Sequence, residues 1–441
     1  MWSRLLVVAL ALAPWGSSAY AESKGLLLQC GRVIDGMSDA PRESVALVVR
    51  DGKIEALIAA GEQMPASAAA LTTVDLSRHT CLPGLIDLHV HLTERPEDTA
   101  DLTVYFRRTR AEQQALSRAH AHATLLAGFT TVRNVGAYIR GVDLALRDAI
   151  ERGDIDGPRM QVSGYYLTIP GGGGDLLVPG VPESRTPDFV RGGVARGAAQ
   201  FKERTDRALD SGVDLVKVIA SGAVLAYGGV PGAPEMNRDE IAAVVSAAHA
   251  RGARVAAHAH GALSILDALL AGVDTIEHAS LIDAAGISLA RERGVPLVMD
   301  VYNGDYIDTE GRRQGWPAEF LKNNLDTTEA QRQAFSRAAS VGAPIAFGSD
   351  AGVFPHGLNA RQFRIMVQRG MTPMQAIRSA TTTAARAMGW QERVGSLAPG
   401  RLADVIAVSG DPLADIGSLE DIAVVIKGGR IVKGPGAEPL R

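Results

Sequence analysis

Between residues 83 and 390 short apolar runs alternate with stretches of helical period. Runs at 85–89, 130–134, 160–164, 214–219, 254–258, 275–278, 296–300 and 345–349 are bounded by Gly, Pro or Asp and predict strands. Stretches at 111–127, 142–152, 193–210, 238–251 and 327–341 carry apolar residues three and four apart and predict helices. Eight strands alternating with helices predict an α/β fold, a (β/α)8 TIM-like barrel. No Gly-x-Gly-x-x-Gly follows the first strand, which argues against a doubly wound sheet. Outside this centre the pattern changes to short strands and turns, at 26–30, 44–49 and 53–58 and again at 404–408, 422–426 and 430–433. Strands at both ends predict one small composite β-sandwich domain. The expected division is 1–21, 22–82, 83–390 and 391–441, the second and last pieces sharing that domain.

The first 21 residues form a charged start, an apolar run from Leu5 to Trp15 and Ala19-Tyr20-Ala21, the pattern of a secretory signal peptide. The apolar run is short of the ~20 residues that a spanning helix needs. The mature protein is therefore expected to be exported, periplasmic or secreted, without stable membrane insertion. With 46% hydrophobic and 21% charged residues the chain as a whole has the composition of a globular enzyme. A net charge of −4, with no Lys/Arg cluster, argues against a nucleic-acid surface. Cys30 and Cys81 are the two cysteines, and a disulfide and a pair of buried thiols are both open.

Candidate chemistry collects at the strand ends. Leu82-Pro-Gly-Leu-Ile-Asp-Leu-His-Val-His-Leu92 puts His89 and His91 on one face, because side chains alternate along a strand. Two imidazoles on one face are half of a metal site. Lys217 follows within the fourth strand, His258 and His260 on the fifth, His278 on the sixth and Asp350 after the eighth. A barrel presents these ends on its catalytic face. His120, His122 and His249 fall on helices and read as ordinary polar residues. Lys217 lies in an apolar strand, where its charge must be paired or removed. A neutral amine there can take up CO2 as a carbamate whose two oxygens bridge two cations; pairing with a carboxylate is the alternative. Pro170-Gly171-Gly172-Gly173-Gly174 lacks the Lys-Ser/Thr of a phosphate loop and reads as a flexible mouth loop.

These residues resemble the amidohydrolase superfamily in its binuclear subtype. The likeness rests on His89-x-His91, Lys217, His258, His278, Asp350 in Phe-Gly-Ser-Asp-Ala-Gly, and the run Gly395-Ser-Leu-Ala-Pro-Gly-Arg-Leu-Ala-Asp404. Val-Lys-Val-Ile-Ala-Ser-Gly, Ala-His-Ala-His-Gly, Ile-Glu-His and Pro355-His356-Gly357 narrow it to the imidazolonepropionase-like carboxypeptidases and prolidases, with the ochratoxin-hydrolysing amidohydrolases among them. Two features depart from that group: Asn134 stands where relatives often carry Asp, and the glycine loop lacks a histidine common there. The resemblance implies two Zn²⁺ held by His89, His91, the Lys217 carbamate, His258, His278 and Asp350. Asp350 is then expected to move the proton, and His260 to contact the substrate carbonyl or to serve as a supporting hydrogen-bond partner.

The implied substrates are small N-acyl amino acids or dipeptides with a free C-terminal carboxylate, ochratoxin A included. Tyr165, Tyr166, Tyr227, Val353 and Phe354 are expected to line an aromatic pocket, with Tyr227 a candidate oxyanion donor or else a packing residue. Arg133 and Arg140 are the candidate carboxylate binders, and His356 a further substrate contact. Expected partners are the amide substrate and further copies of the chain. Cyclic-amide hydrolysis and metal or solute binding without turnover are the competing readings.

Overall fold

The computed structural model describes residues 25–441, so the expected leader lies outside the described residues. Its strands are β1 Leu26–Val33, β2 Arg42–Arg50, β3 Lys53–Ile58, β4 Thr72–Pro83, β5 Leu85–Val90, β6 Phe129–Asn134, β7 Arg159–Val162, β8 Tyr166–Leu167, β9 Leu215–Ile219, β10 Arg254–Gly261, β11 Thr275–Leu281, β12 Leu297–Val298, β13 Ile345–Ala346, β14 Val405–Ser409, β15 Ile422–Lys427 and β16 Arg430–Lys433.

The two ends of the described chain build one seven-stranded sheet in the order β16-β15-β14-β4-β1-β2-β3. Leu28, Leu47 and Leu76 from one half and Val405, Ala407 and Ile426 from the other share one apolar cluster. The sheet thus curls over its own core as a sandwich does. Two-residue turns with positive φ at both positions close its hairpins: Asp51-Gly52 (50° and 73°) and Gly428-Gly429 (56° and 76°). That geometry matches the twist of the flanking strands. Cys30 and Cys81 are joined as a disulfide with Cα atoms 6.0 Å apart, tying β1 to β4.

β4 leads through Gly84 directly into β5, the first barrel strand. Gly84 has no room for a side chain, since a Cβ would lie 2.1 Å from Thr130 Oγ1. The barrel strands form two parallel arcs, β5-β6-β7 and β13-β12-β11-β10-β9-β8. No continuous ladder closes the ring. The arcs meet at isolated backbone bonds, Asp214 N to Val162 O on one side and, on the other, Leu88 N to Phe347 O with Asp350 N to His89 O and His91 N to Ala351 O beyond it. All eight expected strands are present, the third being interrupted. Gly164 (φ 69°) breaks it, so that β7 pairs with β6 while β8 pairs with β9.

Helices pack outside. Arg110–Leu126 begins at a capping box of Thr109 and Glu112, and Arg238–His249 at one of Asn237 and Glu240. The expected 193–210 helix starts instead at Ala198, because residues 193–195 run alongside β8 and a Cβ at Gly193 would strike Tyr166 O. The expected 327–341 helix is longer, Ala318–Ser340, and begins at the stop set by Pro317. Among the described residues no helix is long and apolar enough to cross a membrane.

Candidate active site

β5 delivers two of the predicted groups, and the turn after β13 brings Asp350 beside them. Asp350 N donates to His89 O (2.8 Å), which fixes that turn against the end of β5. Its Oδ1 lies 3.2 Å from His91 Nε2 and 3.5 Å from His89 Nε2. β10 carries His258 and His260 on one face, and β11 carries His278. The rings of His258, His260 and His278 stand 4.5–4.7 Å apart, and His278 lies 4.7 Å from His89. Ligand-capable atoms of His89, His91 and Asp350 lie within 4.8 Å of one another, as do those of His258, His260 and His278, and of His278, Asp300 and Asp350.

Backbone strain places two of these groups. His278 (φ 68°), Ala279 (φ 50°) and Asp350 (φ 62°) occupy the left-handed region, unfavourable for side chains other than glycine. Strain of this kind clusters at functional sites, where surrounding bonds hold it in place. At His278 it breaks the strand alternation, so that His278 and its neighbour Glu277 both face site groups.

The far ring nitrogen of most of these histidines is occupied. Glu277 Oε2 lies 2.9 Å from His89 Nδ1, Asp300 Oδ1 3.0 Å from His278 Nδ1, and Ser280 Oγ 2.8 Å from His260 Nδ1. Tyr166 Oη is 3.1 Å from His91 Nδ1 and donates to Glu94. Such partners fix the tautomer and aim the other nitrogen inward. Burial pushes His89 and His258 well below the usual histidine range, His260 down to about 3 and His278 to about 4. Burial also acts on His91, but Glu94 and Asp350 outweigh it and raise its pKa. Lys217 is buried, and desolvation pushes its amine down to about 8.

Two atoms are left over. Lys217 Nζ and His258 Nε2 are buried without a hydrogen-bond partner among the described residues. Leaving such atoms unsatisfied is costly. Among imidazoles and carboxylates, electron-pair donors without a proton partner are what a divalent cation takes up. The donor set therefore fits a metal centre.

Other predicted residues lie elsewhere. Arg133 is buried on β6, donating to Leu88 O, Thr275 Oγ1 and Glu277, so its guanidinium is consumed inside the barrel rather than at the mouth. Arg140 is exposed and does not line the cavity. Phe354 is fully buried against Tyr302, and Tyr165 bonds Arg204 O behind the wall. Tyr227 packs on Phe320 (4.8 Å) and stands outside the cavity lining. His356 stacks on His120 (4.4 Å) and meets Glu94 O, while His120 meets Leu92 O. Both brace the loop after His91. Tyr166 and Val353 do line the cavity. The glycine loop is not free: Gly173 N donates to Glu235, Gly171 N to Asp175, and a Cβ at Gly174 would meet Tyr166 at 2.7 Å.

Sequence reasoning gave no role to Glu277, Asp300, Glu94 or Asp87. Asp87 sits two before His89, on the same alternation, and accepts from Ser349 and Asn359 on the far side of the Asp350 turn. Burial raises its carboxyl to about 6 and that of Glu94 to about 7. Glu277 carried a signal in Ile-Glu-His; Asp300 and Glu94 carried none short of the fold.

Residues 80–432 match the model of the amidohydrolase family. The chain belongs to the amidohydrolase family. It is 29% identical to ochratoxinase of Aspergillus niger over 435 residues, 95% of this chain and 88% of that protein. The solved structure of that ochratoxinase superposes with a TM-score of 0.83 at 26% identity, covering 95% and 98% of the two chains. A Xaa-Pro dipeptidase with methionine bound in its active site gives 0.86 at 34% identity, covering 93% and 100%. A prolidase complexed with N-methylphosphonate-L-proline gives 0.84 at 30%, covering 93% and 99%. The chain is an amidohydrolase-superfamily enzyme whose grouped histidines and aspartates can hold a divalent metal.

Proposed function

We propose that the protein is a binuclear metal-dependent hydrolase of amide or peptide bonds in small N-acyl amino acids or dipeptides that end in a free carboxylate. The observation that carries this reading is the pair of buried donors without a hydrogen-bond partner among the described residues, Lys217 Nζ and His258 Nε2, inside a ring of imidazoles and Asp350. His89, His91, His258, His278, Asp350 and Lys217 would hold two divalent cations, with zinc the metal proposed. Lys217 would do so as a carbamate: its neutral amine bonds the carbon of CO2, and a proton leaves to solvent. Bound metal supplies Lewis acidity, which makes water nucleophilic near neutral pH and polarises a carbonyl.

The chain's own groups supply the rest. Asp350, with Oδ2 held by Asn303 (3.1 Å), takes the proton of the attacking water and delivers it to the leaving nitrogen. His260, aimed by Ser280, contacts the substrate carbonyl. Tyr105, Tyr138 and Tyr166 form an aromatic wall of the cavity, with ring centroids 4.9 and 5.3 Å apart, suited to a ring-bearing side chain. The named activities of the relatives, ochratoxinase and dipeptidase, support this class, and ochratoxin A, cleaved to phenylalanine, is one substrate within it. We also propose export, with a mature amino terminus at Glu22, and self-association.

The test is turnover of metal-replete protein on Xaa-Pro dipeptides, N-acyl-phenylalanine and ochratoxin A, with metal counted per chain. Two metals and release of the carboxyl-terminal residue are expected. Turnover confined to cyclic amides, or metal without turnover, would establish one of the competing readings. Mass spectrometry of the exported protein checks the terminus, and light scattering its association state.

A further inference from the structure

The proposed substrates carry a carboxylate, yet neither arginine expected to bind it faces the cavity. One guanidinium does line it, that of Arg95, four residues after His91 on the same loop. Pro96 follows it, which disfavours helical backbone at Arg95 and matches its extended φ of −146°. Its Nε donates to Asp98 (2.9 Å), so the head group is held at one edge. Asp98 does not need that charge. Its buried carboxylate already takes two bonds from Arg108, at 2.6 and 2.7 Å. Arg108 thus balances Asp98, and the charge of Arg95 is left over. Its two Nη groups make no hydrogen bond among the described residues, and its side chain is 37% exposed at the cavity.

We infer that Arg95 is the specificity-determining residue that grips the substrate's terminal carboxylate through its Nη groups. This rests on the proposed reaction and names its recognition group. A guanidinium offers two parallel donors to a carboxylate, and here it is pre-oriented by Pro96 and Asp98, so little ordering is left to binding. Its loop also carries His91 and is pinned by the bond from Glu94 N to His91 O (2.8 Å). Recognition and chemistry are therefore held together by a few residues of one chain segment.

The experiment compares kcat/KM for N-acyl-phenylalanine and its carboxamide in wild type, Arg95→Gln, Arg95→Lys and Arg140→Gln, with melting temperature measured for each. Wild type should prefer the acid, and Arg95→Gln should lose about 10- to 100-fold on the acid, mainly in KM, the range of a charged hydrogen bond, with a smaller loss on the amide. Arg95→Lys should fall between, keeping charge without the fork. Arg140→Gln should match wild type. Acid preference that survives in Arg95→Gln overturns Arg95 as the reader but leaves the reaction standing. A wild type indifferent to acid and amide overturns carboxylate recognition itself. Equal losses on both substrates with a lowered melting temperature would make Arg95 a structural residue and overturn the inference.

Discussion

The site contains two His-x-His pairs of identical spacing on strands β5 and β10, and their surroundings differ. His89 and His91 are backed by carboxylates: Glu277 directly, and Glu94 through Tyr166, with Asp350 in front. His258 and His260 are backed by neutral groups, a backbone contact at Gly222 for one and the Ser280 hydroxyl for the other. Anionic backing raises the basicity of an imidazole toward a metal, whereas a hydroxyl only orients it. The same sequence motif thus yields a strongly donating end at β5 and a weaker one at β10. Lys217 belongs to neither pair; its amine is buried without a hydrogen-bond partner among the described residues, and it is the bridge proposed between them.

The comparison breaks first at that bridge. Lys217→Ala is expected to lose most bound metal and all but a trace of turnover, and short carboxylic acids added with metal should partly restore both. Metal analysis with activity checks this, and full unrescued activity would remove Lys217 from the centre. Next comes Asp350, which faces the β5 pair. Asp350→Asn keeps an oxygen but cannot relay a proton, so kcat should fall about 10²- to 10⁴-fold, as for a positioned acid–base group. Near-normal kcat in metal-loaded variant would disprove the relay.

The backing groups sharpen the contrast. Glu277→Gln should weaken metal affinity about 10- to 100-fold, the usual effect of removing such a partner. It should also lower the melting temperature, because Arg133 loses its buried counter-charge. Ser280→Ala should change affinity less than Glu277→Gln, with a chelator titration of both variants as the measurement. Equal effects would erase the distinction between the two ends. The smallest change is expected for Tyr166→Phe, which keeps the ring against Tyr138 and removes only the hydroxyl between His91 and Glu94.

Which parts were legible in the sequence follows from what alternation can and cannot report. The eight barrel strands, the shared end domain and the converging histidines were readable because they depend on local period and on the order of strands. Arg133 was misread as a mouth residue although it lies within β6, where alternation with Thr131 turns it inward to Glu277. Glu277 was passed over because period two sets it opposite His278, and only the left-handed backbone at His278 brings both to the site. Phe354 and His356 follow Asp350 closely in sequence, yet the chain turns away there, burying one against Tyr302 and stacking the other on His120. Asp300 and Glu94 depend on contacts between distant segments, which no local pattern records.

The composite sheet sets an order of events during synthesis. β4 is flanked by β1, made before it, and by β14, made hundreds of residues later. At ~5–20 residues per second the free edge of β4 waits on the order of tens of seconds for its neighbour. An unpaired apolar edge is a template for pairing with other chains. The strand that feeds directly into β5, and so into His89 and His91, therefore keeps one edge open until β14 has been made.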